Sequence, residues 1–136
     1  MGDVDRFWPA VRVKLVRAIE ENHGEYTLSD IYNFLSRGTM QLWIVAEELD
    51  LKSVFVTEII TYPRMRVCFI VLAAGEGLDD LVAQLDVVEQ WAGELGVDEL
   101  RIQGRRGWQR VLRSKGFSLS YTVLRKVLQR GDGHLH

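Results

Sequence analysis

Apolar positions recur at helical spacing along residues 5–23. Val11, Leu15, Ala18 and Ile19 share one face, while Arg12, Lys14, Arg17, Glu20 and Glu21 fall elsewhere. The pattern predicts a helix with Asp5 as N-cap, Pro9 in its first turn and Gly24 as its stop. Thr27 opens a second predicted helix, with Asp30 three residues on in a capping-box arrangement. Ile31, Phe34 and Leu35 form its apolar stripe and Gly38 ends it. Trp8 and Tyr32 are either core aromatics or the lining of a pocket between these two helices.

From Met40 the period shortens to that of a strand. Residues 40–46 form the first, Glu47-Glu48-Leu49-Asp50 the connection, and 52–62 the second, rich in β-branched Val54, Val56, Thr57, Ile59, Ile60 and Thr61. Tyr62-Pro63-Arg64 turns the chain into a third strand over 66–73. Its apolar run Val67-Cys68-Phe69-Ile70-Val71-Leu72 reads as buried on both faces. Short links predict an antiparallel meander. Glu58, amid apolar neighbours, points either to solvent or into a cleft as a candidate base. Beyond Gly75-Glu76-Gly77, Leu78, Leu81, Val82, Leu85, Val88, Trp91, Ala92 and Leu95 mark a helix over 78–95, closed by Gly96. A strand over 98–103 must then run parallel to 66–73, because such crossovers are right-handed. A short helix over 106–114, a stop at Gly116 and a last strand over 118–128, with Tyr121, Val123 and Val127 alternating, complete the chain. Residues 1–130 read as a single α+β domain in three layers, and 131–136 as a flexible tail.

Composition changes this picture little. Of 136 residues, 47% are hydrophobic and 26% charged, as in an ordinary globular protein. No apolar run approaches the ~20 residues that span a bilayer, and Asp3 and Asp5 stand where a secretory signal would be basic. A cytoplasmic protein is expected. The lone Cys68 excludes an internal disulfide and fits a packed core thiol. His23, His134 and His136 lack metal-ligand spacing, and neither a phosphate loop nor a Gly-x-Ser-x-Gly elbow is present. Charge is more telling. Residues 1–100 hold 8 lysines and arginines against 18 acids, whereas 101–136 hold 9 against one. This asymmetry fits either internal complementarity or a surface that receives an anion.

The order of elements resembles the GNAT N-acetyltransferase superfamily over roughly residues 40–128. The resemblance rests on the Gly75-x-Gly77 loop opening a helix and on Lys115-Gly116-Phe117 closing the last one. It implies a GNAT-like mixed sheet with N-terminal helices, an antiparallel meander, a βαβ crossover and a C-terminal helix and strand. It also implies that the backbone of Leu72, Ala73, Ala74, Gly75, Glu76 and Gly77 cradles acetyl-CoA or CoA, helped by Arg105 and Arg106. Glycines and unpaired helix N–H groups suit such an anion. Gly104-Arg105-Arg106-Gly107-Trp108 is further similar to small acetyltransferase-like proteins of bacteriophages and prophages. The family position usually held by Arg or Gln is Leu72 here. Asp79 and Asp80 stand in the first helical turn, the customary acid Tyr is replaced by Leu112, and Gln103-Gly104 stand where an Asn is usual.

Two functions follow. An acyl-CoA-dependent N-acyltransferase needs an anion cradle, an oxyanion donor from the backbone of Leu72 or Ala73, and a group to manage the amine proton. Glu47, Glu58 and Tyr121 are the candidates for that group. A non-catalytic scaffold would instead meet a protein or nucleic acid through Arg105, Arg106, Trp108 and Arg110, residue types favoured at interfaces. With the phage resemblance, that partner belongs to virion assembly or a bacterial host. The bland alternative is a solvated arginine face at 106, 110 and 113.

Overall fold

The computed structural model describes residues 2–20, 24–47, 50–75, 78–102, 106–119 and 123–129. They belong to two compact units, Met1–Gln103 and Gly104–His136. The first contains α1 (Gly2–Glu20), α2 (Leu28–Arg37), β1 (Gln41–Glu47), β2 (Asp50–Thr61), β3 (Arg66–Gly75), α3 (Leu78–Glu94) and β4 (Glu99–Ile102). The strands form one sheet in the order β1-β2-β3-β4. The first three pair antiparallel and β4 pairs parallel to β3, as the meander and the crossover require.

The helix termini show which local signals prevail. At the start of α2, Thr27 Oγ1 accepts from the Asp30 N–H at 3.1 Å and Asp30 Oδ2 accepts from the Thr27 N–H at 2.9 Å. Its other end turns at Gly38, whose φ of 78° is open to glycine at no steric cost. The N-terminus of α1 corrects the expectation from sequence. Asp5 lies inside the helix instead of capping it, and Pro9 is in the interior, where it offers no N–H to the Asp5 carbonyl. Burial of Val4, one face-repeat before Val11 and Leu15, carries the helix back beyond Asp5. The Asp5 carboxylate accepts a hydrogen bond from the Tyr32 hydroxyl of α2.

One face of the sheet is covered by α1 and α2. Val11, Leu15, Ile31 and Leu35 pack there with Val54, Val56 and Leu72. Each such buried aliphatic side chain contributes roughly 1.5–3 kcal/mol. The other face is covered by α3, which contacts β2 and β3. There Trp91 meets Trp43 edge-on, with ring centroids 5.1 Å apart. That face also carries a polar thread. Trp43 Nε1 donates to Thr57 Oγ1 at 3.0 Å, and Thr57 Oγ1 donates to Gln41 Oε1 at 2.9 Å. Thr57 is fully buried, so these bonds satisfy a hydroxyl that water cannot reach.

In the second unit, α4 (Arg106–Arg113) ends where Gly116 adopts φ 90° and the Phe117 N–H bonds the Leu112 carbonyl at 3.1 Å. The strand expected over 118–128 does not form at residues 118–119 or 123–128. Leu119 and Leu124 are 69% and 91% exposed, and Val123, Val127 and Leu128 are exposed too. Two reasons suffice: Leu124 and Leu128 break the alternation that gives a strand one buried face, and no described strand of this unit can pair with the segment.

Candidate functional site

The site begins with a mismatch in the length of two strands. Among the described residues β4 pairs with β3 from Val67↔Glu99 to Ile70↔Ile102. On its other side β3 pairs with β2 all the way from Arg66 to Gly75. Just where the described β4 ladder ends, the register with β2 shifts as well. Thr57 faces Ile70 and Val56 faces Leu72, so Val71 is the extra residue of a bulge. From Val71 to Gly75 the edge of β3 that faced β4 has no strand partner among the described residues. Alternate backbone groups along such an edge are open to a ligand. α3 starts at Leu78, so a helix N-terminus, with its unpaired N–H groups and positive end, follows that edge closely.

This geometry revises the glycine loop. Ala73, Ala74 and Gly75 are strand residues opposite Phe55, Val54 and Ser53, extending the strand two residues past the expected end at Ala73. The Leu72 side chain is buried in the core beneath the N-terminal helices, so Leu72 offers a ligand its backbone alone. Ser53, opposite Gly75, is fully buried, and its hydroxyl has no hydrogen-bond partner among the described residues. Glu76, Gly77, Arg105 and Tyr121 lie outside the described residues. So do the side chains of Arg106 and Trp108, while Arg110 is exposed on α4.

Of the candidate proton-handling residues, Glu47 is exposed at the end of β1, a strand that pairs with β2 and is not adjacent to β3. Glu58 is better placed. It sits opposite Phe69, next to the last closed pair of β3. Alternation with Val54 and Val56 directs it to the face covered by α1 and α2, where it is half-buried. Burial raises its carboxyl above the ordinary carboxylate range. Tyr26, in the α1–α2 connection, is its neighbour. Burial raises the Tyr26 phenol, and the charges of Glu58 and Glu25 raise it further. Its ring meets Phe34 edge-on at 6.5 Å. Nothing in the sequence singles out Tyr26, which lies off both helical stripes and is brought to Glu58 by the tertiary fold. Cys68 is buried, its thiol pushed up to about 11 by desolvation against a lowering hydrogen bond with Thr57, and is no nucleophile at neutral pH. Among the described residues no group of three His, Cys, Asp or Glu could hold a metal ion. No helix among them is long and apolar enough to cross a membrane.

No protein-family model matches the sequence, and no curated protein does. Solved structures do. A predicted acetyltransferase from Clostridium acetobutylicum, crystallised with acetyl-CoA, superposes with a TM-score of 0.70 at 16% identity over 90% of each chain. A GCN5-related N-acetyltransferase from Ralstonia eutropha JMP134 gives 0.68 at 14% identity, covering 91% of this chain and 94% of the other. An aminoglycoside acetyltransferase from an uncultured soil metagenomic sample, in complex with trehalose, gives 0.64 at 12% over 90% of each. At these identities the likeness establishes the fold. The chain has the GNAT fold of acetyltransferases, and the likeness extends beyond residues 40–128 to most of the chain.

Proposed function

We propose that this chain is an acyl-CoA-dependent N-acyltransferase whose cofactor lies along the open edge of β3. The observation that carries the proposal is the coincidence of three features within a few residues: the end of the β4 ladder, the bulge at Val71, and the start of α3 just past Gly75. The acetyl-CoA found with one neighbour fits the backbone part of this arrangement. Strand groups between Val71 and Gly75 that have no strand partner among the described residues suit an amide-bearing arm, and the α3 N-terminus suits an anion. The buried, unpaired Ser53 hydroxyl beside Gly75 is a polar group of the kind that a ligand-binding junction retains. The side-chain part fits less well, because Leu72 is committed to the core and brings no cation.

Acetyl-CoA, when bound, supplies the activated acetyl group; the remaining tasks fall to the chain. Backbone N–H groups of Leu72 or Ala73, which pair with Val56 and Phe55 of β2, would polarise the acetyl carbonyl with little reorganisation. Glu58 removes one proton of the acceptor ammonium; the amine nitrogen would then bond the acyl carbon as the C–S bond breaks, and its second proton would pass to the departing thiolate. Strand spacing puts Glu58 roughly 5 Å from Phe69, with Val71 about 7 Å further along, so the first proton passes through water. Burial raises the affinity of Glu58 for a proton, the direction that favours a base.

Calorimetric titration with acetyl-CoA beside free CoA tests the cradle. Binding is expected in the wild type, and Gly75→Trp should abolish it with little change in melting temperature, since Gly75 is exposed at a strand end. No heat at millimolar ligand, or full affinity in the variant, overturns the assignment.

A further inference from the structure

A second site lies away from β3, in the groove where α1 crosses α2. Asp5, Trp8 and Arg12 from α1 and Ser29, Tyr32 and Asn33 from α2 line an open groove of about 480 Å³, within the size range of small-ligand sites. No residue of β3 or β4 contributes to it. Its floor is aromatic: Trp8 and Tyr32 are half-buried, their ring centroids 5.2 Å apart and their planes tilted by 56°. Its two ends carry opposite charge. Asp5 is fixed at one end by the Tyr32 hydroxyl, and that bond raises the Tyr32 phenol, keeping it a donor at neutral pH. Arg12 is exposed seven residues along the same helix, about 10 Å by helical rise, and a helical side chain leans back toward the N-terminus.

We infer that this groove binds a short zwitterionic peptide bearing an aromatic side chain. The ammonium meets Asp5, the carboxylate meets Arg12, and the ring lies on Trp8 and Tyr32. Ser29 and Asn33, polar and exposed on the α2 wall, suit the peptide amide between the two ends. The simpler alternatives each match the two ends less well. A polyamine would bring a second cation to Arg12, a nucleotide would bring no cation to Asp5, and a free amino acid holds its charges only about 3 Å apart, against about 10 Å of helical rise between the two residues. A dipeptide separates them by roughly twice that, within reach of the two side chains.

The inference is independent of the acyl-transfer proposal, and its test uses protein without CoA. The probe is glycyl-phenylalanine, titrated by calorimetry at low salt, with free phenylalanine and N-acetyl-glycyl-phenylalanine amide as controls. Binding in the millimolar range or tighter is expected, with each control at least threefold weaker. Asp5→Asn and Arg12→Gln are exposed changes that leave the fold intact. Each should weaken glycyl-phenylalanine about three- to fivefold, as expected for one exposed charge pair, and leave the uncharged amide unaffected. Gly75→Trp should leave this binding unchanged. No binding at ~10 mM, equal affinity for the uncharged amide, or unchanged affinity in both charge variants overturns the inference.

Discussion

The two halves of β3 are continuous in sequence and in one strand, yet they differ in what surrounds them. From Val67 to Ile70 the strand is paired on both edges, and Val67, Cys68 and Ile70 are buried. From Val71 to Gly75 its one strand partner among the described residues is β2, and exposure grows toward Gly75. The closed half holds the sheet together, and the open half is where a ligand can meet backbone. One strand does both because the described β4 ladder ends at Ile70 and the bulge at Val71 changes the register at the same level.

The sharpest way to break this contrast is to place the same charge in each half. Cys68→Asp buries a carboxylate between two ladders where burial already disfavours ionisation of the thiol. It should cost roughly 3–5 kcal/mol, a large share of the stability of a domain this size. Gly75→Asp, at an exposed strand end, should cost under about 1 kcal/mol. Urea midpoints measure both, and equal losses would show that the open half is as tightly held as the closed one.

Glu58 stands beside the boundary, and its substitution separates catalysis from packing. Glu58→Gln should lower turnover by about 10²-fold or more and flatten the acid limb of the pH–rate profile, because the base must be ionised to act. Stability should move the other way. Burial raises the folded-state carboxyl above its unfolded value, so the folded protein holds that proton more tightly. Stability is therefore greatest below the ordinary carboxylate range and declines as pH rises through the folded value. Glutamine never ionises. The variant should match wild type below about pH 4 and melt at or above it near pH 8. Turnover within twofold of wild type would remove Glu58 from the mechanism.

Much of the scaffold was legible because short-range chemistry fixed it. Thr27 with Asp30, and the stops at Gly38 and Gly116, act within a few residues and fell where the sequence puts them. The candidate site was legible in place but not in shape. The bulge at Val71 leaves no trace in a run that is apolar from Val67 to Leu72, since a register slip shows only against alternation. Ala73, Ala74 and Gly75 have weak strand preference, and pairing with Ser53, Val54 and Phe55 overrides it. The start of α1 was missed because the burial of Val4 is a tertiary event. The C-terminal alternation misled because period two needs a neighbour as well as a pattern.

The smallest expected effect lies at the boundary itself. Thr57 faces Ile70, the last residue of the closed half, and its hydroxyl joins Trp43 Nε1 to Gln41 Oε1 while bonding the Cys68 thiol. Thr57→Val keeps the volume and removes every one of those bonds. The indole N–H and the amide oxygen are each left without that partner in a partly buried setting, which should cost about 1–2 kcal/mol. The melting temperature should fall by roughly 3–10 °C. Thr57 points to the α3 face, opposite to Glu58, and touches no part of the open edge. Acetyl-CoA affinity should therefore stay within about twofold while stability drops. If affinity falls together with stability, the bulge is held in place by the polar thread under α3, and the two halves of the strand are one mechanical unit.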